Sequence, residues 1–404
     1  MIGENVNSNI KYNIKSNLWK YYVFSFLTEF TIYLPFIVYY FQELGFSLGQ
    51  IAMLQAISAI TVFIFEIPSG YIADKIGRKN SLIMGVIFQL IGVIILYNSQ
   101  NYLMLIIAHI FNGLSWAFVS GADSALIYDS LILLKRESEY KRIGGKANFF
   151  GEIAIIISAI LGSLIVGFGI KQTILLTLIG YTILVFVTFS FVEPPREITK
   201  KHKIHEEVSD LFAIVKKSLH NKKLLGLFCY SFIILGISST VFVIYQPYFR
   251  ATTLPLQYYG YIFAAFSIFA AFTALKAHDI EKKIGVYWSL LLMPLFLVGA
   301  LIGASLVFMW AGFMFFFLRE LVRGYIYPVI GDYTNRIISS NERATVLSIG
   351  SMFSRLGFAI ISTTFGFLTN NYGLKVMLLV TGALLLVFTF IVPLLIKNKY
   401  SSAD

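Results

Sequence analysis

Long uninterrupted runs of apolar residues alternate with short polar stretches along the 404-residue chain. Each run has about 18 or more residues, which is enough for an α-helix to cross about 30 Å of hydrocarbon. We count twelve such runs and number them spans 1 to 12. They cover residues 19–41, 49–73, 80–98, 102–128, 147–168, 173–192, 224–246, 257–276, 286–305, 307–330, 344–368 and 374–396. The pattern predicts an all-α membrane protein with twelve transmembrane helices.

Composition supports this class and argues against others. Hydrophobic residues make up 57% of the chain, charged residues make up 13%, and the mean hydropathy is +0.77, outside the usual range for a soluble domain. The single cysteine, Cys229, leaves no internal disulfide to form. The sequence shows no nucleotide-binding loop, metal-ligand cluster or nucleophile–base arrangement. We therefore expect neither an enzyme nor a metal or organic cofactor.

The distribution of lysine and arginine predicts the orientation. Of the 32 basic residues, 26 fall in the termini and loops of one side, whereas the other side has only Lys171, Arg250 and Lys375. This asymmetry predicts that both termini are cytoplasmic and that the protein lies in the plasma membrane. The net charge of +11 then faces anionic headgroups and needs no nucleic-acid partner. We expect the bilayer and a small-molecule substrate as partners, and a monomer.

The longest polar loop divides the chain into two halves. It predicts an N-terminal six-helix bundle over residues 1–192, a cytoplasmic linker over 193–223 and a C-terminal six-helix bundle over 224–404. A faint internal repeat supports two pseudo-symmetric bundles. The same spacing relates three residues of the first half to three of the second: Gly121, Asp129 and Glu152 to Gly324, Asp332 and Arg355.

The polar turn after span 2 has the pattern G-x-x-x-D-x-x-G-R-K. Its members are Gly70, Asp74, Gly77, Arg78 and Lys79. We expect Gly70 to allow the close approach of a neighbouring helix and Gly77 to allow a tight turn. Asp74 is placed to accept hydrogen bonds from the N-terminal amides of another helix, and Arg78 to pair with Asp129. These contacts predict a gate, although the lysines of the turn, Lys75 and Lys79, have the alternative role of enforcing topology.

This motif resembles the signature between helices 2 and 3 of the major facilitator superfamily, and the resemblance covers the whole chain. It implies two six-helix halves that rock about a central site by alternating access. It also implies that helices 1, 4, 7 and 10 line the cavity and that Asp74 meets helix 11. Span 2 is similar to the hinge variant of clostridial-type tetracycline exporters at Glu66 and Pro68, but Ala59 replaces their second glutamate. The resemblance therefore implies membership rather than tetracycline specificity.

Ionisable residues inside the spans are functional candidates, because one charge at mid-bilayer costs about 2.5–3.5 kcal/mol on insertion scales. With the cavity positions implied by the resemblance, the substrate-cavity candidates are Glu29, His109, Asn112, Arg319 and Arg323. His109 begins the sequence HIFNG, which is similar to the family's helix-4 pattern R-x-x-Q-G, associated with proton coupling. A histidine with an ordinary pKa of about 6.5 can itself release a proton near neutral pH.

We predict Glu29, His109 and Glu66 as the proton-coupling residues. Two alternatives stay open: His109 as a neutral hydrogen-bonding residue, and Glu29 as a carboxyl held protonated by desolvation without a role in transport. Glu66 is also placed to form a bridge with Arg355 between the two halves.

Span 10 holds three charged residues within five positions. Glu320 and Arg323, three residues apart, are expected to neutralise each other. Arg319 is then left to meet an anionic substrate group or Glu29. The alternative is a buried ion cluster that holds the helices together.

The sequence favours a secondary transporter that exports small amphipathic molecules or drugs by proton antiport. The proton gradient is adequate, since one proton yields about 2.3 kcal/mol per 100 mV and about 1.4 kcal/mol per pH unit. Span 5 contains Gly151, Gly162 and Gly167 but lacks the proline of the drug-antiporter signature, which weakens the case for export. The alternatives are a proton-coupled importer of a small anion and a non-transporting membrane receptor of the same fold.

Overall fold

The computed structural model describes residues 8–195, 215–338 and 343–396, and the regular secondary structure in these ranges is helical. Most of the predicted linker, residues 193–223, lies outside them. In chain order the helices are Ser8–Glu29, Ile37–Glu43, Leu48–Ile76, Arg78–Asn98, Tyr102–Val119, Ala122–Leu133, Tyr140–Ile165, Ile170–Phe189, Lys222–Tyr230, Gly236–Ala251, Tyr259–Leu306, Phe316–Ile337, Arg343–Tyr372 and Leu374–Ile396.

The twelve predicted spans coincide with these helices. Nine segments of the described ranges are long and apolar enough to cross a membrane. One of them, Leu256–Leu306, contains both span 8 and span 9, which are two helices divided by non-helical backbone at Gly285. Span 10 is Phe316–Ile337, whose charged residues lower its hydropathy, and span 12 includes the shorter apolar stretch Leu374–Phe390. The predicted all-α membrane fold is confirmed.

Glycines make the tight turns between spans 2 and 3 and between spans 8 and 9. Gly77, between spans 2 and 3, has φ 112°, and Gly285, between spans 8 and 9, has φ 74°. Residues with a Cβ rarely adopt such positive φ values, whereas glycine does so without steric penalty. The tight turn predicted at Gly77 is therefore confirmed, and its counterpart occurs in the second half of the chain.

The helices form two compact units. One unit comprises Met1–Pro35 and Ile57–Ile204, and the other comprises Phe36–Ala56 and His205–Asp404. The second unit therefore includes the end of span 1 and the beginning of span 2. The division predicted from the central loop placed these residues in the N-terminal bundle. We call Phe36–Ala56 the outer segment, because the distribution of basic residues predicts that the loop within it is extracellular.

Span 1 is interrupted in its apolar part. Its first helix ends at Glu29, and a new helix begins at Ile37. Within the break, the Thr31 N–H donates to the Glu29 carbonyl oxygen at 2.8 Å, and the Ile32 N–H donates to Thr177 Oγ1 at 3.0 Å. These bonds satisfy backbone groups that no helix pairs, a condition for irregular backbone at membrane depth.

A second irregularity lies in span 7, where Ser231–Leu235 forms a π-helical turn. Span 11 packs directly against this turn: a Cβ at position 357, which is glycine, would lie 2.0 Å from the Phe232 carbonyl oxygen. Isolated π-helical turns occur frequently at functional sites. Span 7 is therefore distorted where span 11 contacts it.

The two units repeat one packing arrangement, but not in the register predicted from sequence. A Cβ at position 113 would lie 2.6 Å from the Ser58 carbonyl oxygen, and a Cβ at position 324 would lie 2.2 Å from that of Ala270. Span 4 thus packs on span 2 through Gly113, as span 10 packs on span 8 through Gly324. Gly121, by contrast, breaks span 4 with φ 80° and has no described atom within 4 Å of a Cβ. The helix contact that Gly324 makes in the second unit is therefore made by Gly113 in the first, not by Gly121.

Candidate functional site

Span 10 carries a buried cluster of three charged side chains, Arg319, Glu320 and Arg323. The Glu320 carboxylate accepts hydrogen bonds from Arg319 Nη1 at 2.5 Å and from Arg323 Nε at 2.7 Å. The pairing of Glu320 with Arg323 confirms the expectation from their spacing. The expectation that Arg319 is left unpaired is wrong, because Arg319 shares the same carboxylate.

Span 7 completes this cluster with a phenol and a backbone carbonyl. The Tyr245 hydroxyl donates to Glu320 Oε1 at 2.7 Å, and Arg319 Nε donates to the Ser238 carbonyl oxygen at 2.9 Å. The Arg319 guanidinium also lies 5.5 Å from the ring centroid of Phe242 and 5.7 Å from that of Tyr245, within the range of cation–π attraction. Sequence reasoning missed these partners, because nothing in span 7 marks them as facing span 10.

The cluster has one more positive than negative charge. The side chains of Arg319 and Glu320 are 6% and 2% exposed, whereas that of Arg323 is 27% exposed. Burying a charge is costly unless it is paired, and Glu320 pairs with both arginines. Arg323 is the most exposed of the three side chains. The cluster also joins spans 7 and 10, as the alternative interpretation expects.

His109 and Asn112 lie on span 4 of the other unit. His109 Nδ1 is 2.9 Å from the Leu105 carbonyl oxygen, and since a carbonyl only accepts, Nδ1 carries the hydrogen. In the neutral ring this leaves Nε2 as the atom that titrates. Asn112 Oδ1 accepts a hydrogen bond from Ser58 Oγ at 3.0 Å. The side chain of Asn112 is thereby fixed against span 2.

These two residues have positional equivalents in the charged cluster. His109 and Asn112 lie four and one residues before the packed glycine of span 4, and Glu320 and Arg323 lie four and one residues before that of span 10. The repeated packing therefore places a histidine–asparagine pair in one unit where the other has a glutamate–arginine pair. The sequence signal for this equivalence was the spacing H-x-x-N-G and E-x-x-R-G.

Glu29 lies at the end of a helix rather than within a continuous one. A Cβ at position 151, which is glycine, would lie 3.3 Å from Glu29 Cγ. Span 5 therefore packs closely beside Glu29 through Gly151. In the adjoining break, the Thr31 and Tyr181 hydroxyls are hydrogen-bonded at 2.7 Å. Glu29 therefore lies where the first helix of span 1 ends and irregular backbone begins. Its role in proton coupling stays a prediction.

The hinge after span 2 is held by two acidic side chains. Arg78 Nη2 lies 2.6 Å from Asp74 Oδ1, one turn away. The backbone N–H groups of Arg78 and Lys79 donate to the Glu193 carboxylate at 2.9 and 2.7 Å. Glu193 thus caps the first turn of span 3, where orphan N–H groups and the helix dipole favour an anion. Sequence reasoning used Glu193 only to mark the start of the linker.

Other predicted hinge contacts have different outcomes. Gly70 is exposed, and no described atom lies within 4 Å of a Cβ there, so the close approach expected at this glycine is wrong. The neighbouring Ser69 makes the helix contact instead, since its Oγ donates to the Ala117 carbonyl oxygen at 2.8 Å. The pairing of Arg78 with Asp129 and the contact of Asp74 with span 11 stay predictions.

The proposed bridge between Glu66 and Arg355 also stays a prediction. The two residues belong to different units. Both side chains are partly buried, and Arg355 Nε is buried without a hydrogen bond to any described residue.

The second unit has an apolar cavity of about 680 Å³ between the beginnings of spans 8 and 10. Its aromatic lining residues are Tyr258, Tyr261, Trp310, Phe313 and Phe317. The size is within the usual range for sites that bind small molecules. The cavity is therefore large enough for an amphipathic ligand.

Membrane-spanning helices in two similarly packed units, one of which holds a buried ion cluster, are expected of a multi-pass membrane transporter. The family model of the Major Facilitator Superfamily matches residues 21–319. The chain belongs to this superfamily, whose members are transporters and not enzymes.

Similar proteins agree with this assignment. A folate-like transporter of Dictyostelium discoideum is 27% identical over 72% of this chain, and the match spans half the length of that relative. An uncharacterised MFS-type transporter of Bacillus subtilis, YxaM, is 24% identical over 91% of this chain and 92% of its own. The crystal structure of a mutant of the nucleoside transporter NupG covers 94% of this chain and all of its own, with a TM-score of 0.81 at 15% identity. The names of these proteins do not specify drug export.

Proposed function

We propose that this protein takes up a small organic anion together with protons, with Arg323 as the residue that contacts the anion. The observation that carries the proposal is the partly exposed guanidinium of Arg323, which lies beside the buried ion pair of Arg319 and Glu320 on span 10. Both oxygens of the Glu320 carboxylate already accept hydrogen bonds from arginine. A carboxylate on the substrate would pair with the partly exposed guanidinium of Arg323, where bidentate geometry adds specificity.

Electrostatic work favours proton-coupled uptake over export for such a substrate. A monovalent anion moving inward against an inside-negative potential costs about 2.3 kcal/mol per 100 mV. Two protons reverse the sign of the transported charge, and each adds about 1.4 kcal/mol per unit of pH gradient. Export of an anion needs no proton, since the potential already drives it. The carboxyl of Glu29 at the break in span 1 therefore supports uptake.

The resemblance to a named relative supports the same substrate class. The Dictyostelium relative is called a folate-like transporter, and folates carry carboxylate groups. The proposal extends to alternating access in the plasma membrane, with both termini cytoplasmic and the protein acting as a monomer.

Reconstituted liposomes test the proposal directly. Uptake of radiolabelled folate, benzoate and succinate is compared with that of thymidine and xylose, with and without an inward proton gradient. We expect at least one anion, and neither neutral solute, to accumulate with the gradient. Arg323→Gln should raise KM about 10- to 100-fold, since hydrogen bonds to charged groups contribute about 1.5–3 kcal/mol. Arg323→Lys should retain part of the affinity.

Lys276→Gln is the matched control, because it removes one exposed positive charge from the same unit. It should leave KM unchanged. Uptake of the neutral solutes alone, or an unchanged KM in Arg323→Gln, contradicts the proposal. Saturable binding without movement across the bilayer indicates a receptor instead.

Export of amphipathic molecules is a second candidate, favoured by the apolar cavity at spans 8 and 10. In everted vesicles, a lipophilic fluorescent cation should then be concentrated when the lumen is acidic. Ala265→Trp, which fills the cavity wall, should abolish this movement while anion uptake is unaffected. The two candidates therefore have separate readouts.

A further inference from the structure

The outer segment contains a short helix whose N-terminus lacks a cap of its own. This helix, Ile37–Glu43, follows the break in span 1, and its preceding residue, Phe36, makes no side-chain capping bond. The first N–H groups of any helix have no acceptor within it and need one from elsewhere when they are buried. The Val38 N–H is buried. The acceptor must therefore come from another part of the unit.

Gln246 of span 7 supplies that acceptor. Its Oε1 accepts from the Val38 N–H at 2.7 Å and from the Tyr39 N–H at 3.1 Å. Gln246 is 2% exposed, so water does not compete for these bonds. An amide oxygen has two lone pairs, and both are used here. A side chain of span 7 thus caps a helix of span 1.

Two further contacts attach the outer segment to the same unit. Arg250, one turn after Gln246, pairs with Glu43 at 2.6 Å, and its guanidinium lies 4.9 Å from the Tyr39 ring centroid. At the beginning of span 2, a Cβ at position 366 would lie 2.7 Å from the Leu48 carbonyl oxygen. Span 11 thus approaches span 2 closely through Gly366. The outer segment is held by polar bonds at one end and by backbone packing at the other.

We propose that Gln246 is a positioning residue that holds the outer segment closed against spans 7 and 11, and that its two hydrogen bonds break and re-form in each transport cycle. A covalent or wholly apolar attachment would not suit a contact that must reverse. Two side chain–backbone bonds and one partly exposed ion pair are individually weak and directional, so they favour one position without preventing release. The inference rests on the proposed transport by alternating access, and it does not depend on which solute is transported.

Side-specific labelling of a cysteine under the outer segment tests the inference. Ala52→Cys is introduced in a Cys229→Ser background, since Ala52 is 3% exposed and a Cβ at position 366 would lie 3.0 Å from its own Cβ. A membrane-impermeant maleimide is added from the side predicted to be extracellular. Gln246→Met removes the acceptor at nearly constant volume and should accelerate labelling about tenfold, the effect of losing about two net hydrogen bonds.

Gln246→Glu is the matched variant, because its carboxylate can accept the same two bonds at a helix N-terminus that favours an anion. It should label as slowly as the Ala52→Cys parent. An exposed reference cysteine, Lys375→Cys, should react at one rate in every background. Rates are measured per molecule inserted in the membrane, so a role in folding alone would not change them. Equal labelling of the Met and parent proteins, or fast labelling of the Glu variant, overturns the inference.

Val38→Pro tests the same bond from its other end and remains informative if Gln246→Met fails to insert. Proline removes the N–H donor and is tolerated in the first turn of a helix. It should accelerate labelling at position 52, and combining it with Gln246→Met should add little more. Slow labelling of Val38→Pro, or full additivity of the two changes, contradicts the assignment.

Discussion

Replacing Glu320 with glutamine tests whether the charged cluster is a buried ion network. The change preserves the shape of the side chain and lets an amide oxygen accept the Tyr245 hydroxyl, but it removes the charge and replaces the oxygen that accepts from Arg323 with an NH2 donor. Arg319, 6% exposed, then loses the Glu320 counter-charge and retains the Ser238 backbone carbonyl and two aromatic faces. Leaving one buried partner uncompensated typically costs about 3–5 kcal/mol. We expect a loss of this size in the free energy of unfolding.

Combining Glu320→Gln with a substitution of either arginine shows which of the two arginines causes the loss of stability. Arg319→Met removes the buried cation and supplies an apolar side chain of similar length, so in the Glu320→Gln background it should recover about 2–4 kcal/mol. Arg323→Met should recover less than about 1 kcal/mol, because the more exposed Arg323 is hydrated once its partner is gone. The measurement is equilibrium unfolding in mixed micelles titrated with dodecyl sulfate. Equal rescue by both methionines, or a loss below about 1 kcal/mol in Glu320→Gln, refutes the reasoning.

Two further substitutions test local contacts. Glu193→Gln should lower the free energy of unfolding by about 1 kcal/mol, because a neutral amide caps span 3 less well, whereas the exposed Glu137→Gln should have no effect in the same denaturation assay. Gly324→Val should reduce the fraction of protein that survives heating in detergent, since its Cβ meets span 8 backbone at 2.2 Å; Gly331→Val, with open space around it, should resemble the parent. Equal stability within either pair contradicts the contact it tests.

Much of the fold was readable from the sequence, because membrane insertion ties helix length to apolar run length. The twelve spans and the turn at Gly77 follow from that rule and from the steric freedom of glycine. The pairing of Glu320 with Arg323 follows from helical periodicity alone. Each of these features depends on residues close together in the chain.

The missed features depend on contacts between distant segments. The acceptor for Arg319 is the Ser238 carbonyl oxygen, a backbone atom that any residue offers, so composition could not mark it. The break after Glu29 lies in a continuous apolar run and is stabilised by Thr177, a residue common in membrane helices. The internal repeat shows the same limit: Gly121 fits the eight-residue spacing to an aspartate, but it is Gly113 that makes the helix contact made by Gly324, and only packing reveals this.

The repeated packing leads us to expect different roles for the two units: anion binding in one and proton coupling in the other. The same position in the packing holds a titratable histidine, His109, with Asn112 in one unit. In the other unit it holds the charged pair of Glu320 and Arg323. A fixed charge suits an anion, whereas proton coupling needs a group that changes charge within the working pH range. Two such groups compete in the first unit: the Glu29 carboxyl at the end of a helix and His109 Nε2.

Uptake measured as a function of external pH distinguishes them. We expect Glu29→Gln to make uptake independent of pH between about 5 and 8, because the residue that accepts the proton is gone. His109→Asn should keep the pH dependence, since its amide N–H can still donate to the Leu105 carbonyl oxygen and only Nε2 is lost. The reverse result, a flat profile in His109→Asn and a normal one in Glu29→Gln, would assign the proton to the histidine. It would also leave the carboxyl at the helix break with a structural role alone.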